Sequence, residues 1–401
     1  IPLVGHSSHL LTRCLGAAGL LPKMFLKEYE ESTKGLGHFC SDAHPAVRHI
    51  SLANVANTRP WDSRIENFFR NKTEGKKSGL NRVAGWHVTK HIEEGLDELN
   101  RTIDATRPRI IVALGNLPLW ALTGNQGGSS SSSPGGITNW RGSQLVSHHG
   151  IPVLPTFNPS AVLRMFSNRV ILQHDLSHRL ARFIKEERTD WWTTLRTHNI
   201  RPDYLLVQRW LDLLTSHVES GKTLTCDLET SHHSWITNIG FATSATESYT
   251  IPFTSSLGRY WTPSQETNIK WRLRHILSHP NACLVMQNGE YDRTYLLSEL
   301  LVNADLTRDT RTIHHTHYPS LPASLHFMAS LYCEDYVYWK DESGEAAEDG
   351  DDNKAWTYNG KDCCHTFEID SKLKEQTKSL GMEEQVDFEM DLHSRVYPCM
   401  Q

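Results

Sequence analysis

Six residues restrict this chain more than any others: Leu224-Thr225-Cys226-Asp227-Leu228-Glu229. Leu224, Cys226 and Leu228 alternate with Thr225, Asp227 and Glu229. A period of two belongs to an extended strand, so both carboxylates fall on one face of it. An Asp-x-Glu pair alone is a weak signal, because exposed strand faces carry such pairs by chance. What surrounds it decides its weight.

The segments that follow alternate in the way an α/β domain does. Strands are expected near 236–242 and 249–253, at hairpin spacing. Thr262-Pro263-Ser264-Gln265 offers a capping hydroxyl, a proline at the first helical position and a Gln three residues on. It stands just before Ile269, Leu273, Ile276 and Leu277, so a helix starts there. The apolar run from Ala282 to Met286 returns to the sheet.

Two further acid-bearing segments come next. Asn288-Gly289-Glu290-Tyr291-Asp292 lies between that strand and a helical run through Leu296, Leu297 and Leu300, which puts Asp292 in a first helical turn, where the helix dipole also favours a carboxylate. In Tyr358-Asn359-Gly360-Lys361-Asp362, the i and i+4 side chains Tyr358 and Asp362 share one helix face. Between the two segments the stretch 341–352 is acidic and Gly-containing and is expected to be a solvated loop.

Several carboxylates converging on two divalent cations about 3.5–4 Å apart are what two-metal phosphoryl chemistry requires. Hard ions such as Mg2+ or Mn2+ take oxygen ligands, which Asp and Glu supply. A phenol beside a carboxylate can orient the attacking water.

The order Asp-x-Glu, Asn-x-x-x-Asp, Tyr-x-x-x-Asp, placed on strand, helix start and helix, resembles the three exonuclease motifs of the DnaQ-like superfamily. The resemblance is closest to the proofreading domain of phage-type family A DNA polymerases and covers roughly residues 205–374. Arg308-Asp309-Thr310 and the run from Leu325 to Tyr332 look like the connecting elements of such domains. It implies a 3′-5′ exonuclease that hydrolyses DNA 3′ ends with two divalent cations, Mg2+ or Mn2+. It also implies that Asp227, Glu229 and Asp362 hold metal, Asp292 supports the second metal site, Tyr358 orients the water, and Asn288 contacts substrate. The implied partner is a single-stranded or frayed DNA 3′ end. The stretch 386–401 resembles the helix leading into a polymerase portion, so a covalently continuous polymerase domain is expected in the full-length protein.

The first half carries a second resemblance. The apolar strand 110–114 ending in Gly115, the segment 136–142, and 154–164 with Asn158-Pro159-Ser160 resemble the uracil-DNA glycosylase superfamily. Phage-type family A polymerases carry such a domain ahead of their exonuclease. Asn54 matches the family's pocket asparagine, and Asn158 stands where the family has His. Asn can donate a hydrogen bond but cannot carry the positive charge of an imidazolium. The family's upstream Gly-Glu-x-Pro-Gly-like motif is absent, so uracil excision is not the leading expectation. An iron-sulfur cluster would need four cysteines, and this half has only Cys14 and Cys40.

The expected organisation is therefore α/β throughout. A uracil-DNA glycosylase-like three-layer parallel-sheet domain spans 1–185, N-terminally truncated, and a linker spans 186–204. A ribonuclease H-like, DnaQ-like exonuclease domain with a mixed sheet spans 205–380, and a polymerase-linking helix begins in 381–401. A length of 401 residues suits two domains. Residues 124–136, rich in Gly and Ser, are expected to form a flexible loop. Ile1 in place of Met predicts a fragment or a processed product.

Composition narrows the function classes. The net charge of −5 excludes a passive nucleic-acid coat. Eight scattered cysteines without a CxxC pair predict reduced thiols. No apolar run reaches the ~18 residues of a membrane span, and a cytoplasmic location, bacterial or in a phage-infected host, is expected. His148-His149 and His314-His315-Thr316-His317 are expected at the surface. Two other functions fit the same sequence: a non-catalytic DNA-binding or docking module, and glycosylase activity of the first half.

Overall fold

The computed structural model describes residues 5–396 except 33–35, 43, 57, 59, 71, 125–132, 232–233, 305, 343 and 345–348. The loops expected at 124–136 and 341–352 and the segment 386–401 therefore lie partly outside the described residues. The chain divides into two units. One is Ile1–Trp192 with Asp335–Tyr338, and the other is Thr193–Glu334 with Trp339–Gln401.

In the first unit the apolar strand Ile111–Leu114 (β1) pairs in parallel with Pro152–Thr156 (β3), whose five residues are all buried. Leu145–Val146 (β2) adds an antiparallel edge to β3, so this sheet is mixed. Helix Lys90–Thr106 (α1) turns Ile92, Leu99 and Ile103 inward at helical spacing. Leu99 and Ile103 pack with Ala113, Leu119 and Val153. Below the sheet lies a charge pair. Arg141 and Asp175 are 1% and 0% exposed, and Thr156 Oγ1 donates to Asp175 Oδ2 at 2.6 Å. Burial alone would raise the Asp175 carboxyl, but Arg141 and His174 together outweigh it and hold the group at about 2. Trp191, inside the stretch 186–204, packs against Phe183 and donates its indole N–H to Leu145 O.

The second unit is built on a six-stranded mixed sheet. Its strands are Thr197–Asn199 (β4), Thr223–Ser231 (β5), Trp235–Ser244 (β6), Glu247–Pro252 (β7), Cys283–Met286 (β8) and Leu306–Asp309 (β9), in the order β9-β8-β5-β6-β7-β4. β5, β6 and β7 form an antiparallel meander, while β8 and β9 run parallel to β5. The edge strand β4 falls inside 186–204, the stretch expected to be a linker. Helices Tyr204–Glu219 (α2) and Pro263–Leu277 (α3) contribute Val207, Leu211, Leu214, Ile269, Leu273 and Ile276 to the core with Leu224, Cys226 and Leu228. Helix α3 begins at the capping box of Thr262 and Gln265, as the sequence predicts.

Further helices of the unit are Glu290–Leu300 (α4), Thr310–His317 (α5), Leu325–Tyr332 (α6), the 29-residue Asp352–Leu380 (α7) and Glu383–Arg395 (α8). Helix α7 lies against β5, β6 and β7. Thr225 Oγ1 donates to Cys363 O at 3.0 Å and Thr250 Oγ1 to Trp356 O at 3.0 Å, which fixes the helix on the sheet. Close approach needs Gly240, since a Cβ there would stand 2.0 Å from Asn359 Oδ1. The expected surface position of some histidines also fails. His314 and His317 are buried, not at the surface, and bond Tyr332 OH at 2.7 Å and Thr377 Oγ1 at 3.0 Å. Their neighbours on α6 and α7 enclose them, which the His-rich string could not show.

Candidate active site

The acids of β5 meet the acid of α7. One carboxylate oxygen from each of Asp227, Glu229 and Asp362 lies within 4.8 Å of the others. The two strand acids share a face because the extended backbone alternates, and α7 brings Asp362 onto that face. Asn359, one turn before Asp362, donates from Nδ2 to Asp227 Oδ2 at 2.8 Å and to Asp227 O at 3.2 Å. The helix thus holds the strand acid in place as well as carrying its own.

Asp292 sits in the first turn of α4, where Oδ1 accepts the Leu228 N–H at 2.9 Å. It is not part of the three-oxygen cluster. The turn before it is held from β9 and α5: Asp309 caps α5 through Oδ1 and accepts the Gly289 N–H at 2.7 Å through Oδ2. Asn288 is exposed, has φ +62, and its amide oxygen accepts from Arg311 Nη1. A left-handed backbone there suits Asn better than most residues.

Crowding of the acids has an electrostatic cost. Burial first, then the charges of Asp362, Asp292 and Glu229, push the Asp227 carboxyl well up. Glu229 is pushed up to about 7 by burial and by Asp362. Asp292 is pushed up to about 8, chiefly by burial, against the lowering effect of its Leu228 bond. Oxygen ligands at this spacing, held under mutual repulsion, fit hard divalent ions.

Sequence reasoning missed two residues. Trp339 Nε1 donates to Asp362 Oδ1 at 2.7 Å, and Lys340 Nζ donates to Asp362 Oδ2 and, at 2.8 Å, to Tyr358 OH. Burial disfavours the Lys340 ammonium, yet Asp362 and Tyr358 more than offset it and raise its pKa. Tyr358 is also pushed up, by burial and then by Asp362. Both missed residues come from irregular chain between α6 and α7, where no periodicity points to a site.

In the first unit, Asn158 caps the helix Pro159–Arg164. Its Oδ1 accepts from Ser160 N–H at 2.9 Å and its Nδ2 donates to Leu114 O at 3.2 Å. Gly115, at φ +102, leaves only 3.2 Å between its absent Cβ and Asn158 Cβ. Asn54 is exposed in an irregular stretch.

Residues 1–184 match the Uracil DNA glycosylase superfamily. The matched stretch covers most of the first of the two units. Several solved nucleases are similar to the chain. NrnC of Brucella melitensis with bound Mg2+ shares 12% identity over 43% of this chain and 82% of its own, with a TM-score of 0.33. The catalytic core of RRP6 from Trypanosoma brucei shares 14% over 50% and 55%, at 0.36. RNase D of Escherichia coli, an exoribonuclease involved in structured RNA processing, shares 16% over 46% and 49%, at 0.34. No curated protein matches the chain. Among the described residues no helix is long and apolar enough to cross a membrane.

Proposed function

We propose that the second unit is a metal-dependent 3′-5′ exonuclease acting on DNA, the editing part of a phage-type family A polymerase. The observation that supports this reading is the meeting of Asp227, Glu229 and Asp362 within 4.8 Å, with Tyr358 one turn from Asp362 on the same helix. Asp227, Glu229 and Asp362 would hold Mg2+ or Mn2+, with Asp292 supporting a second ion. Such ions supply charge neutralisation at the phosphate and a more acidic water. Tyr358 OH orients the attacking water, Asn359 keeps Asp227 in register, and Asn288 contacts the substrate strand.

A test is to incubate the chain with 5′-labelled single-stranded DNA and RNA of one sequence, in Mg2+ and in EDTA. A ladder shortening from the 3′ end on DNA, absent in EDTA, is expected. Preference for the RNA strand would reassign the substrate, and tight binding without cleavage in either metal would make the unit a docking module.

Lys340 holds the carboxylate that an ion would take. Two like charges near 4 Å repel by about 1 kcal/mol per unit product even in bulk water. Lys340→Met is therefore expected to tighten Mn2+ binding by about tenfold or more, read by calorimetry; unchanged or weaker binding would count against competition.

The raised acids also set a pH dependence. A carboxyl whose folded pKa lies above its unfolded value makes the folded state bind more protons, so stability falls as pH rises through that window. With Glu229 at about 7 and Asp292 at about 8, the chelated protein is expected to lose about 5 °C in thermal midpoint between pH 5 and pH 8. Mn2+ should restore more at pH 8 than at pH 6. A flat or rising profile in EDTA would contradict this.

A further inference from the structure

Three residues beside the acid site have ligand atoms of a different chemistry. His365 and Glu368 lie three positions apart on α7, and Cys333 is the residue that ends α6. Ligand atoms of the three lie within 4.8 Å of one another, with Cys333 and His365 buried and the Glu368 side chain 12% exposed. Cys333 and His365 are 3% and 6% exposed, and Cys333 is in no disulfide.

Packing alone does not account for the trio. Buried polar atoms are nearly always paired, yet His365 Nδ1 is buried without a hydrogen-bond partner among the described residues. The side chains are nevertheless held from outside. Glu368 Oε1 accepts the Glu334 N–H at 2.6 Å and Oε2 accepts from Arg196 Nη2 at 2.8 Å. The Trp339 ring lies 4.3 Å from the His365 ring, centroid to centroid. Outer partners of this kind fix the orientation of metal ligands. A carboxylate has roughly four lone-pair sites, so Glu368 keeps some to offer.

We propose that Cys333, His365 and Glu368 bind one zinc ion, at a site separate from the acid cluster and one turn along α7 from Asp362. Sulfur, nitrogen and a single oxygen suit Zn2+, whereas Mg2+ and Mn2+ select oxygen throughout. Tetrahedral bonds of about 2.0–2.3 Å place ligand atoms roughly 3.3–3.8 Å apart, inside the span found here. The ion would tie the end of α6 to α7, and with it the start of the segment that delivers Trp339 and Lys340 to Asp362. The site does not depend on the exonuclease reading.

Cobalt titration of the full chain tests this, because thiolate ligation gives Co2+ a charge-transfer absorption that oxygen ligation does not. One Co2+ per chain with that absorption is expected, displaced by stoichiometric Zn2+ and not by excess Mg2+. Cys333→Ser should abolish the band, and Asp227→Asn should leave it. His365→Gln, the second variant should Cys333→Ser fail to fold, should weaken Co2+ binding at least tenfold. Absence of the band in the unaltered chain at saturating Co2+, or its persistence in Cys333→Ser, overturns the proposal.

Discussion

Replacing Asp227 and Glu229 together by Asn and Gln is expected to lower Mg2+-dependent DNA degradation by about a thousandfold or more, with the fold intact. Several kcal/mol of transition-state stabilisation come from ions held at such a site, and each 1.4 kcal/mol is tenfold in rate. Both residues lie on the face of β5 turned away from Leu224, Cys226 and Leu228, so the core is untouched. Burial and repulsion raise both carboxyls, and neutral amides relieve that repulsion. The double variant should therefore melt at or above the temperature of the chelated parent. Rate constants on labelled single strands, taken with melting curves in EDTA, check both halves. Undiminished degradation would remove Asp227 and Glu229 from the chemistry.

The second large effect belongs to the first unit. Arg141→Met leaves the Asp175 carboxylate buried at 0% exposure without its cation, and breaking a buried pair from one side typically costs about 3–5 kcal/mol. A matching fall in the urea midpoint is expected, with much of it regained in Arg141→Met/Asp175→Leu, where no charge is left stranded. The pH sign follows from the depressed carboxyl. Its contribution is complete above the unfolded value near 4 and is lost as pH falls toward the folded value of about 2. A shift below about 1 kcal/mol would mean that water reaches the pair.

Local regularity made much of this legible in the sequence. Alternation from Leu224 to Glu229 fixed which side chains share a face, and the Thr262–Gln265 capping box fixed a helix start. Tyr358 and Asp362 share a helix face through i,i+4 spacing alone. What stayed hidden depends on contacts between segments distant in sequence. Lys340 and Trp339 reach Asp362 from chain with no repeating pattern. Cys333 gains His365 and Glu368 as neighbours only once α6 packs on α7. The edge strand β4 is three polar residues whose extended form comes from pairing with β7. The burial of His314 likewise reflects Phe327 and Tyr332 on α6.

The bond from Asn359 to Asp227 joins positions 132 residues apart. During synthesis β5, β8 and β9 all leave the ribosome before α7 does, so the growing chain presents Asp227, Glu229 and Asp292 without Asp362. Contacts of such long separation form slowly, because loop closure precedes any gain from them. Cutting ability would therefore arrive in one late step, after nearly the whole second unit has been made.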